Sequence, residues 1–180
     1  MLTLWDLLPK IAKKRRAPKT VVKTRAVKPA AAKRASPAAE RYEKLTRECL
    51  AEHGVRVRKW RSSMSGVAWE VRYEDGTVSR LIEAPKPKGP MSAAVFLHEI
   101  GHHAIGFNRY RPRCLEEYHA WMWSLAEMER RGVNVTESVK LRVHESLHYA
   151  IAKAARRGLK KLPVELEPYL PPPPRRRRVA

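Results

Sequence analysis

The period of the apolar positions changes several times along this chain, and each change marks an element. Ser36-Pro37 reads as a helix start, with Ser as the cap and Pro at the first helical position. Ala39, Tyr42, Leu45, Cys49 and Leu50 then recur on one face until Gly54, a helix stop. From Val55 the period drops to two. Val55 and Val57 alternate with arginines as far as Trp60, and Val67, Trp69, Val71 and Tyr73 alternate with polar or small residues. Asp75-Gly76 predicts a two-residue hairpin turn of the primed type, with Val78 to Glu83 as the return strand. These runs predict a small three-stranded antiparallel sheet with one buried face. Pro85, Pro87, Gly89 and Pro90 interrupt the pattern, and Ser92 is the expected cap of a second helix ending near Gly106. Pro112 can start a third helix that runs to Arg131 with Gly132 as its stop, and Thr136 caps a fourth that runs to about Arg157 before Gly158. From Pro163 onward, prolines and arginines predict the end of regular structure.

This pattern divides the chain into residues 1–35, a domain over 36–162, and a Pro/Arg-rich tail over 163–180. Residues 1–35 show no sustained apolar period beyond residue 11, so they bury too little surface to offset their ordering entropy. They are expected to be disordered apart from a short helix at residues 3–15. Charge follows the same division. Residues 1–39 hold eleven Lys/Arg against Asp6, a balance of +10; Arg175 to Arg178 add +4; the other +6 of the +20 total fall on residues 40–174. The basic tails suggest non-specific attachment to nucleic acid or another polyanion through counterion release, with nothing that points to sequence readout. Cys49 and Cys114 lie far apart and form no C-x-x-C, which argues against a disulfide framework or a zinc ribbon. No apolar run approaches the ~18 residues of a membrane span. The N-terminus is apolar first and basic afterwards, the reverse of a secretory signal, so a cytoplasmic location is expected.

The chemistry concentrates in His98-Glu99-Ile100-Gly101-His102, an H-E-x-x-H run inside the apolar stretch of the second helix. Positions i and i+4 stack on one helix face, so His98 and His102 would point at one spot. Glu99 lies about 100° round the helix and can reach a water at that spot. Two neutral imidazoles and a neighbouring carboxylate are what a zinc hydrolase needs, together with a third protein ligand and one open position. The third helix offers it in Cys114-Leu115-Glu116-Glu117-Tyr118-His119-Ala120-Trp121, where Glu117 stands fifteen residues after His102. Glu116 and His119 are the alternatives at that position. His103 is expected to point away from the shared face, and Trp121 and Trp123 read as core.

The run from Phe96 to His103, followed by Glu117-x-x-Ala120, resembles the ImmA/IrrE group of zinc metallopeptidases over roughly residues 40–130. The resemblance implies an α+β, zincin-like fold, with the small sheet packed on the active-site helix and about three further helices. It also implies Zn²⁺ held by His98, His102 and Glu117, with Glu99 as the general base of an endopeptidase acting on protein or peptide. Members of the group often carry Glu-x-Glu-Ala-Asn/Asp where this chain has Glu117-Tyr118-His119-Ala120-Trp121, and no helix-turn-helix domain is recognisable here. The free edge of the hairpin could hold an extended substrate by strand addition.

A second H-E-x-x-H, His144-Glu145-Ser146-Leu147-His148, lies in the fourth helix. Its lead-in is more amphipathic, and its nearest downstream acids, Glu165 and Glu167, are flanked by proline. It ranks below the first as a metal site, and it could instead bring His144, His148 or Tyr149 over the first site as a hydrogen-bond donor. The contrasting reading of the whole chain is a catalytically weak or inactive zincin-fold module, attached to nucleic acid through its basic tails.

Overall fold

A computed structural model describes residues 36–173. The short helix expected at residues 3–15, and Arg175 to Arg178, lie outside the described residues. Five features organise the rest. They are α1 (Pro37–His53), a sheet of β1 (Val55–Arg61), β2 (Val67–Arg72) and β3 (Val78–Pro85), the pair α2 (Pro90–Ile105) and α3 (Arg113–Arg130), then α4 (Glu137–Arg156), and a 3-10 helix, Val164–Tyr169. No helix among the described residues is long and apolar enough to cross a membrane.

Local signals placed most helix ends. Ser36 accepts the Ala39 N–H in its side chain, Pro37 occupies the first helical position, and Gly54 closes α1 at φ +60°. Thr136 accepts the Val139 N–H at the start of α4. The start of α2 differs from expectation. Gly89 is its cap and Pro90 its first residue, while Ser92 sits within the first turn. The Ser92 hydroxyl still works at that end, accepting the N–H groups of Lys88 and Gly89.

The sheet is mixed, not antiparallel. Its order is β1-β3-β2, with β1 parallel and β2 antiparallel to β3. The loop from Ser62 to Gly66 carries the chain past β3, which then inserts between its two predecessors. Polarity explains the order. β1 carries Arg56, Arg58, Lys59 and Arg61, which reach water most readily from an edge, whereas β3 ends in the buried run Ile82 to Pro85 and takes the centre. The one acid in that run, Glu83, is held between Arg58 and Arg61 at 2.8 and 3.0 Å. The β2–β3 turn also departs from the two-residue primed form. Gly76 donates to the Tyr73 carbonyl and is left-handed at φ +81°, while Asp75 is not, which describes a three-residue loop with a bulge glycine.

Every residue of α2 from Ser92 to His103 is buried. A helix enclosed all round sits at the centre of its domain, and α2 packs on β3, α3, α1 and α4. Phe96, Leu97 and Ile100 are wholly enclosed, each worth about 1.5–3 kcal/mol in transfer free energy. The α2–α3 contact is close because both helices are small where they meet. A methyl group on Gly101 would lie 2.8 Å from the Ala120 carbonyl oxygen, and Ser124 donates to the Ala94 carbonyl at 2.8 Å.

Regular structure continues past Pro163, contrary to expectation. In the 3-10 helix Leu166 is fully buried, and this segment packs on α3 and α4. One enclosed leucine and contacts to two helices anchor a stretch that composition alone marks as a tail, so the boundary at 162/163 falls too early.

Candidate metal centre

Burying four polar side chains in one helix is costly unless each finds a partner, so the surroundings of His98, Glu99, His102 and His103 are informative. His103 faces the sheet. It donates from Nε2 to the Leu81 carbonyl at 3.1 Å and stands edge-on to Phe107, tying α2 to β3. Burial pulls its pKa down to about 4, so the ring is neutral at pH 7.

His98 and His102 face α3. Their rings are 4.7 Å apart, and both Nε2 atoms face Glu117 Oε2, at 3.4 Å from His98 and 3.6 Å from His102. Two ligands held about 2.0–2.1 Å from one tetrahedral ion stand about 3.4 Å apart, so this spacing suits a shared ion. One ligand atom from each of the three side chains lies within 4.8 Å of the others, and no other such group of three occurs among the described residues. These residues could therefore hold a metal ion. Glu117 has a second tether. Its Oε1 accepts from Arg113 Nε at 3.3 Å, leaving Oε2 to the histidines. Trp121 stacks on the His98 ring at 4.1 Å, fixing its plane and sealing it from solvent. The tryptophan read as core is thus also a wall of the site.

The alternatives for a third ligand point elsewhere. His119 stacks on Tyr110 at 3.8 Å. Glu116 lies beyond the other side of the His102 ring. One of its oxygens accepts the Asn108 N–H at 2.7 Å, and Oε1 stands 3.8 Å from His102 Nδ1. Both of those facing atoms are buried and have no hydrogen-bond partner. A carboxylate behind a ligating imidazole is the usual means of fixing its tautomer, and Glu116 stands on that side of His102.

Electrostatics separate the two catalytically interesting acids. Burial pushes Glu99 up to about 7; the charge of Glu117 adds to this, and His102, Arg61 and Arg113 oppose it. For Glu117 burial acts in the same direction, but hydrogen bonding and charge from His102 and His98 more than reverse it and hold the carboxyl far below the usual carboxylate range. His98 is drawn down to about 4, first by burial, despite its contact with Glu117. The result is a neutral imidazole at His98, an ionised carboxylate facing it at Glu117, and at Glu99 a carboxyl whose pKa lies near 7.

A cavity of about 810 Å³ opens in front of this group, lined by His98, Glu99, Glu117 and Trp121, by Ser65 and Gly66, and by one face of α4 from Arg142 onward together with Arg157, which caps the helix. Gly66 went unnoticed in the sequence, where it ends an ordinary Ser-rich loop. A methyl group there would fall 2.3 Å from Glu99 Oε1, so its lack of a side chain makes room for the carboxyl. Arg142 was also missed. It donates from Nη2 to the Met64 carbonyl, and its buried Nε has no partner.

The second H-E-x-x-H is not a metal group. His144 Nε2 donates to the Pro171 carbonyl at 2.8 Å and His148 Nδ1 to the Tyr169 carbonyl at 3.1 Å. Neither turns toward the first motif; Tyr149, on the same helix, does line the cavity. Comparison with known proteins gave no match, whether to a family model, a curated protein or a solved structure.

Proposed function

We propose that this protein is a zinc-dependent endopeptidase of the H-E-x-x-H type, similar to the ImmA/IrrE group. One observation carries the reading: His98 Nε2, His102 Nε2 and Glu117 Oε2 converge at ligand spacing beside a cavity lined by His98, Glu117 and Glu99. Bound there, zinc would polarise a substrate carbonyl and bring the pKa of a water to about 7. His98, His102 and Glu117 would hold it, three protein ligands being the number a catalytic rather than a structural site supplies. Glu99 takes the proton of the attacking water and passes it to the amine nitrogen as the peptide bond breaks. Gly66 keeps that carboxyl in place, and Trp121 keeps solvent from the far side of His98. The outer edge of β2, which begins next to Gly66, is available for an extended substrate to add as a strand.

The test is Glu99→Gln in the full chain. Zinc content should stay at the wild-type stoichiometry while peptide cleavage falls by roughly 10²–10⁴. Full activity in that variant would sink the mechanism. A protein without zinc, whose binding to DNA or RNA collapses as salt is raised, would favour the inactive nucleic-acid-attached module that the charge of the tails suggests.

A further inference from the structure

The face of α4 that lines the cavity has a charge pattern the proposed chemistry does not use. Arg142, Glu145, Tyr149, Lys153 and Arg157 recur at helical spacing along one stripe. Its start is at the metal end, since Arg142 bonds the carbonyl of Met64, two residues before Gly66, and its charge is felt at His98. Fifteen residues of α-helix reach about 22 Å, the length of roughly seven residues of extended peptide. Elsewhere in the domain many cations stand against a carboxylate, as Arg58 and Arg61 do on Glu83, Arg130 and Arg131 on Glu127, and Lys86 on Glu43. Among the described residues Lys153 and Arg157 have no carboxylate partner, and Arg142 has only a backbone one.

Building on the peptidase reading, we propose that this stripe seats an acidic segment of the substrate, and that the enzyme prefers chains with an acid-x-acid pair about five residues from the bond cleaved. The spacing follows from the helix. Lys153 and Arg157 are four residues apart, about 6 Å along the axis, and alternate side chains of an extended peptide stand about 6.6 Å apart on one face. Arg142 precedes Lys153 by eleven residues, about 16 Å, or about five residues of strand. The peptidase reading sets the occupant as a peptide rather than a nucleic acid: an extended chain can place its acids against Lys153 and Arg157 and run neutral backbone past the rest of the stripe. Tyr149, 62% exposed and one turn before Lys153, offers apolar surface for a residue between the acidic pair and the bond cleaved.

The experiment measures binding of two fluorescent decapeptides, one with Asp-Ala-Asp and one with Asn-Ala-Asn, to full-length Glu99→Gln protein supplied with zinc at 0.15 M salt. The acidic peptide should bind about tenfold more tightly, as two partly exposed ion pairs allow. Adding Lys153→Glu and Arg157→Glu should erase that preference, and the charge-matched Lys160→Glu/Lys161→Glu control, outside the cavity, should keep it within about twofold. Melting curves establish that each variant is folded. Equal binding of the two peptides, or a preference that survives Lys153→Glu/Arg157→Glu, overturns the proposal. So does a single-stranded RNA that displaces the acidic peptide through the same two cations. Zinc-loaded wild type separates the two readings. Preference without cleavage overturns the peptidase and leaves the groove standing, and cleavage of both peptides without preference does the reverse.

Discussion

The chain carries the same five-residue spacing twice, and the two copies do different things. His98 and His102 lie on a helix buried all round and turn toward α3, which presents a carboxylate. His144 and His148 lie on an amphipathic helix and turn toward the 3-10 segment, which presents backbone carbonyls. The i, i+4 spacing decides only that two imidazoles share a helix face. Whether they form a metal group or a pair of structural hydrogen bonds depends on what the facing element offers, an acceptor that can ligate or one that can only accept an N–H. The second copy therefore serves the fold. It fastens the 3-10 helix and the residues just after it onto α4.

The sharpest way to break this comparison is to remove one histidine from each copy. His98→Ala should abolish stoichiometric zinc binding, whereas His144→Ala should leave it unchanged; metal analysis after dialysis reads both. Zinc lost from the second variant alone would reverse the assignment. A smaller effect is expected at Glu116. If its carboxylate orients His102 from behind, Glu116→Ala should weaken zinc binding about 10–100-fold without removing it. Competition with a chromophoric chelator measures this, and an unchanged affinity would assign Glu116 to holding the Asn108 loop alone. Smaller again, the double variant His144→Ala/His148→Ala loses two hydrogen bonds to backbone and should cost about 1–3 kcal/mol of stability. It should also increase proteolysis near Tyr169, with zinc affinity intact.

The least effect concerns Cys49, far from both motifs. Burial pushes its thiol up to about 12, helped by Glu127 and Glu52 and opposed by Arg131 and Arg130. The folded state thus keeps a proton that the unfolded chain gives up near pH 9. Stability falls as pH rises from about 9 toward 12, because there the unfolded state binds fewer protons than the native one. Denaturation midpoints of wild type and Cys49→Ala should converge over pH 8 to 10.5, since the variant lacks this titration. Parallel curves would mean the thiol is not buried as described.

What could be read in advance was what neighbours in sequence decide. Ser36, Gly54 and Thr136 act within one turn of themselves, and His98, Glu99 and His102 need only a helix to come together. Glu117 was within reach because it stands fifteen residues after His102, on a helix that returns over the first, and because Glu117-x-x-Ala120 fits the resemblance. The order of the strands depends instead on which of three short apolar runs is least able to tolerate an edge, a comparison across the whole sheet. Gly66 and Arg142 meet the site from other elements, through a loop and a helix whose local patterns say nothing about it. Leu166 was hidden for a related reason. One apolar residue among prolines looks like a tail until two helices and two histidine N–H groups are found around it.

The contact of Gly101 with Ala120 acts as an alignment key. With a methyl group's width missing on one helix and only a methyl on the other, α2 and α3 mesh in a single register, and sliding by one residue would drive a side chain into a backbone carbonyl. That register, more than the identity of the acid, selects Glu117 over the adjacent Glu116. The site could not be transplanted to another helix pair by copying His98, His102 and Glu117 alone. The two small residues would have to travel with them, because they carry the information about where the carboxylate lands.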